Sequence, residues 1–118
     1  MIAKDQAEKF AKEWVAAWNA HDLPEILSHY EEEFEMSSPA ITKLSGDPSG
    51  TLKGKQAVAE YWAGALAKYP RLKFELLHVL RGANSVILIY KGVLGLSAEV
   101  FQFGASGKVA KACAHYDL

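Results

Sequence analysis

The stretch Trp14-Val15-Ala16-Ala17-Trp18-Asn19-Ala20-His21-Asp22-Leu23 decides how this chain begins to fold. Leading into it, Ala7, Phe10, Ala11, Trp14, Val15 and Trp18 recur at alternating spacings of three and one. They therefore share one stripe of a helix whose opposite side carries Glu8, Lys9, Lys12 and Glu13. The helix is predicted to stop near Asn19-Ala20-His21. Asp22, with Glu25 three residues on, reads as a capping-box variant that opens a second, short helix with Leu23, Ile26, Leu27 and Tyr30 on its buried side.

Downstream, Phe34-Glu35-Met36-Ser37-Ser38 alternates apolar and polar, as a half-buried strand does, and ends at Pro39. Between Pro39 and Gly54 the turn formers Gly46-Asp47-Pro48-Ser49-Gly50 predict a long loop, either a lid or a surface connection. Val58, Tyr61, Trp62, Ala65, Leu66 and Tyr69 restore helical spacing, so a third helix is expected from about Gly54 to Lys68, stopped by Pro70. The remainder reads as sheet. Leu72, Phe74, Leu76, His78 and Leu80 alternate with Lys73, Glu75 and Leu77, and Arg81-Gly82-Ala83-Asn84 turns the chain into Ser85–Tyr90. Strands over roughly Leu96–Phe103 and Lys108–Tyr116 follow, joined by Gly104-Ala105-Ser106-Gly107. Ala110, Ala112 and Ala114 leave room on the last strand, for a neighbouring aromatic or a cavity, and Gly92 and Gly95 suit a bend or bulge.

No Pro/Gly/Ser-rich linker divides the 118 residues, so residues 1–118 are read as a single soluble domain. Half the residues are apolar and 23% charged, a composition able to form its own core. The net charge of −1, without a basic stripe, argues against nucleic-acid binding. No run of 18 apolar residues speaks for a membrane span. A lone Cys113 cannot form an internal disulfide, which fits a reducing compartment and places the protein in the cytoplasm. The four histidines show no paired ligand spacing, so no metal is expected. Gly104-Ala105-Ser106-Gly107-Lys108 lacks the first glycine and the Ser/Thr of a phosphate loop, and no G-x-S-x-G element is present.

Two helices, a strand, a third helix and a meander of long strands is the element order of the nuclear-transport-factor-2-like cone fold, and several segments resemble it directly. The Trp14–Leu23 stretch resembles its "aalnagDl" corner, Gly54-Lys55-Gln56-Ala57-Val58 its "G-x-x-a-i" helix opening, and Phe101–Val109 its last hairpin. The resemblance spans nearly the whole chain and points to SnoaL-like polyketide cyclases and Δ5-3-ketosteroid isomerases as relatives. It implies an α+β, cone-shaped cystatin-like roll. Three N-terminal helices would pack on a curved, mixed and mostly antiparallel sheet around a central apolar pocket.

These motifs are structural and speak for fold more than for reaction. Where the isomerases carry a catalytic Tyr the chain has Trp14, and where their general-base Asp precedes a Pro it has Ser38, so the standard isomerase mechanism is not expected. Their oxyanion-hole Asp aligns with Glu99, which shares a strand face with Phe101 and Phe103. A carboxyl among phenylalanines is expected to have a raised pKa and to serve as acid or base. Alternatively, Glu99 reaches water at the cone mouth or pairs with a Lys or Arg.

The resemblance thus implies a cofactor-free isomerase or cyclase acting on a hydrophobic carbonyl compound, with Glu99 as acid/base and Trp14 or Ser38 orienting the substrate. Trp18, Tyr30, Met36, Tyr61, Trp62, Phe101 and Tyr116 are the candidate ligand contacts, against a reading of most such aromatics as plain core. Two alternatives stand beside the enzyme. One is a non-catalytic binding domain. The other is a homodimeric interaction module using the outer sheet face common to dimers of this superfamily, with Leu77, Val79, Val86 and Leu88 as its apolar positions.

Overall fold

In the computed structural model, which describes all 118 residues, helix α1 (Lys4–Asn19) buries Ala7, Phe10, Ala11, Trp14, Ala17 and Trp18. The corner then forms as its residue types dictate. His21 takes a left-handed φ of 56°, and the Asp22 carboxylate accepts the Glu25 amide at 3.2 Å to cap α2 (Leu23–Leu27). Asn19 holds the corner to the far side of the molecule. Its side-chain amide donates to the Phe74 carbonyl at 3.0 Å, and its carbonyl oxygen accepts the Phe74 amide at 2.6 Å. His21 Nε2 lies 2.9 Å from the Leu72 carbonyl, which can only accept, so that nitrogen carries the proton.

Strand β1 (Tyr30–Ser37) begins earlier than the alternation predicted, and Tyr30 opens this strand instead of lying on the second helix. The glutamates 31–33 are absorbed because the register shifts between Tyr30 and Glu35, leaving Tyr30 and Phe34 buried. The expected loop from Pro39 to Gly54 contains two elements, α3 (Pro39–Ser45) and β2 (Thr51–Lys53), so four helices surround the sheet instead of three. The Ser38 hydroxyl caps α3 by accepting the Ala40 amide at 3.1 Å, Pro39 opens the helix, Ile41 buries it, and Gly46 closes it at φ 78°. Gly50 turns the chain back at φ 57°. A Cβ there would lie 2.7 Å from the Ser38 carbonyl oxygen, so only glycine fits.

Helix α4 (Lys55–Lys68) precedes β3 (Glu75–Arg81), β4 (Ser85–Gly92), β5 (Gly95–Phe103) and β6 (Val109–Tyr116). The sheet order is β2-β1-β6-β5-β4-β3, antiparallel throughout except for the parallel β1–β6 pair. The Leu72–Leu80 alternation is broken by a register shift between Leu76 and His78. Val79 therefore packs against the core while His78 and Leu80 are exposed. Gly92 and Gly95 are not a bulge. They pair across the two-residue turn Val93-Leu94, which sets Leu88 opposite Glu99 and Val86 opposite Phe101. Val86 and Leu88 are consequently fully buried, and the outer apolar positions are Ile87, Ile89, Ala98 and Val100. On β6, Ala112 sits between Phe101 and Met36, whose bulk its small side chain accommodates.

Candidate functional site

Alternation along β5 turns Ser97, Glu99, Phe101 and Phe103 to the interior, and Glu99 is only 4% exposed. The β4–β5 register brings Tyr90 beside it, and the Tyr90 hydroxyl donates to Glu99 Oε1 at 3.2 Å. Burial raises the Glu99 carboxyl from 4.5 to about 7, and the Tyr90 bond, which favours the charged form, offsets part of that rise. Both protonation states are therefore accessible near neutral pH. Burial, reinforced by the Glu99 charge, pushes the Tyr30, Tyr90 and Tyr116 phenols upward. Tyr61 is raised for the same first reason, partly offset by the Ser38 hydroxyl, which also faces Tyr116. These phenols remain protonated donors around a titrating carboxyl.

Glu99 and Tyr90 form part of the wall of a cavity of about 860 Å³, enclosed by α1, α3, α4 and the inner sheet face. That volume lies in the upper range of small-molecule sites. Trp14, Trp18, Met36, Tyr61, Trp62 and Tyr116 also line it. Tyr30 and Phe101 are fully buried and stand outside that wall, Tyr30 packing on Phe34 and Trp62 and Phe101 on Phe10 and Trp14. Two residues singled out for substrate orientation have structural employment. Trp14 stacks on Phe74 at 5.4 Å, and its Nε1 donates to the Tyr30 hydroxyl at 2.9 Å, so its one N–H is already engaged. Ser38 is a helix cap as well as a neighbour of the two phenols. Ser38→Ala is expected to lower stability by about 1 kcal/mol through loss of the cap, measurable as a shift in the urea midpoint.

Sequence reasoning missed Tyr90, the partner of Glu99, and the α3 residues that close one side of the cavity. Tyr90 shares its strand face with Val86 and Leu88, but only the length of the Gly92–Gly95 turn tells which carboxyl it meets.

Helices packed on a curved, mixed six-stranded sheet are the fold of the nuclear-transport-factor-2-like class of proteins. The chain belongs to the SnoaL-like domain family, whose family model matches residues 11–117. A SnoaL-like protein of unknown function from Burkholderia thailandensis is 50% identical, with a TM-score of 0.96 over 99% of this chain and 98% of that one. The same fold recurs in SalBIII, an epoxide hydrolase/cyclase-like enzyme with a role in pyran ring formation in the polyether salinomycin. It is 17% identical, with a TM-score of 0.78 over 100% of this chain and 95% of that one. An NTF2-like protein of unknown function from Burkholderia pseudomallei, 16% identical, reaches 0.75 over 95% and 91%. Comparison with curated proteins finds no match. No helix is long and apolar enough to cross a membrane.

Proposed function

We propose that this chain binds a hydrophobic carbonyl compound in its cavity and moves a proton on it without cofactor or metal, as an isomerase or cyclase. The observation that carries this reading is Glu99, a buried carboxyl that titrates near 7 on the wall of an aromatic cavity. As the carboxylate, Glu99 takes a proton from the carbon next to the carbonyl, while a wall phenol, Tyr61 or Tyr116, donates to the oxygen on which charge develops. The proton then returns to another carbon, completing an isomerisation. In the cyclase variant the carbanion forms a bond to a second carbonyl carbon, and the resulting alkoxide takes the proton back. The indole N–H of Trp18 is buried without a partner beside this cavity, which favours a ligand bearing an acceptor oxygen over a bare hydrocarbon.

A thermal-shift screen against steroids and aromatic polyketides tests binding. A ligand at a hundred times its dissociation constant adds about 2.7 kcal/mol of stability. Hits incubated in deuterium oxide should exchange the proton next to the carbonyl. No stabilising compound across the panel, or hits without exchange, would leave a binding domain at most.

The outer sheet face supports a second role compatible with the first, homodimerisation. Leu80 is 50% exposed and Leu96 52%, and Ile87, Ile89 and Val100 are half-buried between them with no covering layer in the monomer. Ile89→Lys is expected to shift the mass seen by light scattering from dimer to monomer. A wild-type monomer at micromolar concentration would dismiss this role. The free Cys113 on the same face suits a reducing, cytoplasmic setting.

A further inference from the structure

The charged side chains of the cavity lie at two depths. Glu99 is buried, whereas Lys43 on α3 and Lys68 and Glu60 on α4 line the cavity and are exposed, which places them at its mouth. The Lys68 ammonium sits 5.4 Å from the ring centroid of Tyr69, itself part of the wall. Apolar side chains share this opening, with Leu44 75%, Val93 43% and Leu94 39% exposed. An anion could not be accommodated beside Glu99, where it would lose its hydration and face a second negative charge. A neutral oxygen could, since phenols that stay protonated line that region. Among the side chains at the mouth the balance reverses, with Lys43 and Lys68 against Glu60, all in contact with water.

We infer that the ligand is an amphipathic anion, bound with its neutral carbonyl end toward Glu99, its apolar body along the aromatic wall and its anionic group at the mouth beside Lys43 and Lys68. This names the substrate class of the site proposed above and rests on that reading. The exposed apolar rim then contacts the outer part of a ligand too long to be swallowed whole. The two lysines select for charge without taking part in the chemistry.

The probes that test it are 8-anilinonaphthalene-1-sulfonate and the uncharged N-phenyl-1-naphthylamine, which share a skeleton and differ in the sulfonate. The readout is fluorescence quenching of Trp14, Trp18 and Trp62, the chain's three tryptophans, all of which line the cavity. The wild-type protein should bind the sulfonate more tightly, and added salt should erode that preference. The double variant Lys43→Gln/Lys68→Gln should weaken sulfonate binding by about fivefold and leave the neutral probe unchanged. Equal affinity of the wild type for both probes, or a sulfonate affinity untouched by the double variant, would overturn the inference while leaving the cavity reading intact. Absence of quenching by either probe would remove the cavity reading and the inference with it.

Discussion

Glu99→Gln is expected to lower turnover by about 10²- to 10⁴-fold while the protein stays folded and still binds its ligand. Glutamine keeps the size of the side chain and an oxygen that can accept from Tyr90, but it cannot hold and return a proton. Wild-type activity that uses the carboxylate as base should rise with pH through about 7, the value to which burial raises this group. The same shift has a stability consequence of opposite sign. Because the folded pKa, about 7, lies above the ordinary value of 4.5, the folded state retains this proton longer than the unfolded chain does. The contribution is fully present below 4.5 and is lost as pH rises through about 7. The total loss is on the order of 3 kcal/mol. His29, whose pKa burial lowers, works in the other direction across part of this window, so the comparison that isolates Glu99 is wild type against Glu99→Gln. Urea melts at about pH 5 and about pH 8 should show the variant gaining on the wild type at the higher pH. An identical pH dependence in both proteins would mean that another group titrates, and unchanged turnover would remove Glu99 from the chemistry.

Trp14→Ala should be the most damaging single truncation for stability. The indole stacks on Phe74, meets Tyr90 and Phe101 edge-on at 5.3 Å each, and is 1% exposed. Removing a buried Trp costs about 3–5 kcal/mol. The change also strands the Tyr30 hydroxyl, which is fully buried and accepts the Trp14 N–H. Leaving such a group unpaired adds about 1–3 kcal/mol, and the sum approaches the whole 5–15 kcal/mol stability of a typical domain. The urea midpoint should fall steeply with little change in slope. Trp14→Phe separates the two contributions, since it keeps much of the ring packing and loses the donor. Combining it with Tyr30→Phe should recover part of the loss, because both partners of the bond are then apolar. If Trp14→Phe proves as stable as the wild type, the Trp14–Tyr30 bond contributes nothing and the indole acts through packing alone.

By itself the sequence determined those features whose physical cause is local. The spacing of Phe10, Trp14 and Trp18 is a property of one helix, and the Asp22 cap needs only its own amides, so α1 and its corner were legible. So was the inward face of Glu99, Phe101 and Phe103, because alternation survives wherever a strand runs unbroken. Tertiary structure decided what depends on a partner strand or on desolvation. A seven-residue helix shows too little periodicity to emerge from the turn formers around it, so α3 and one wall of the cavity stayed hidden. The run Val86–Tyr90 is apolar on both faces, and its inward side was set only by the Gly92–Gly95 turn, which buried Val86 and Leu88 and brought Tyr90 to Glu99. The proton affinity of Glu99 is likewise no property of β5, since it arises from the packed elements that withdraw water from its carboxyl.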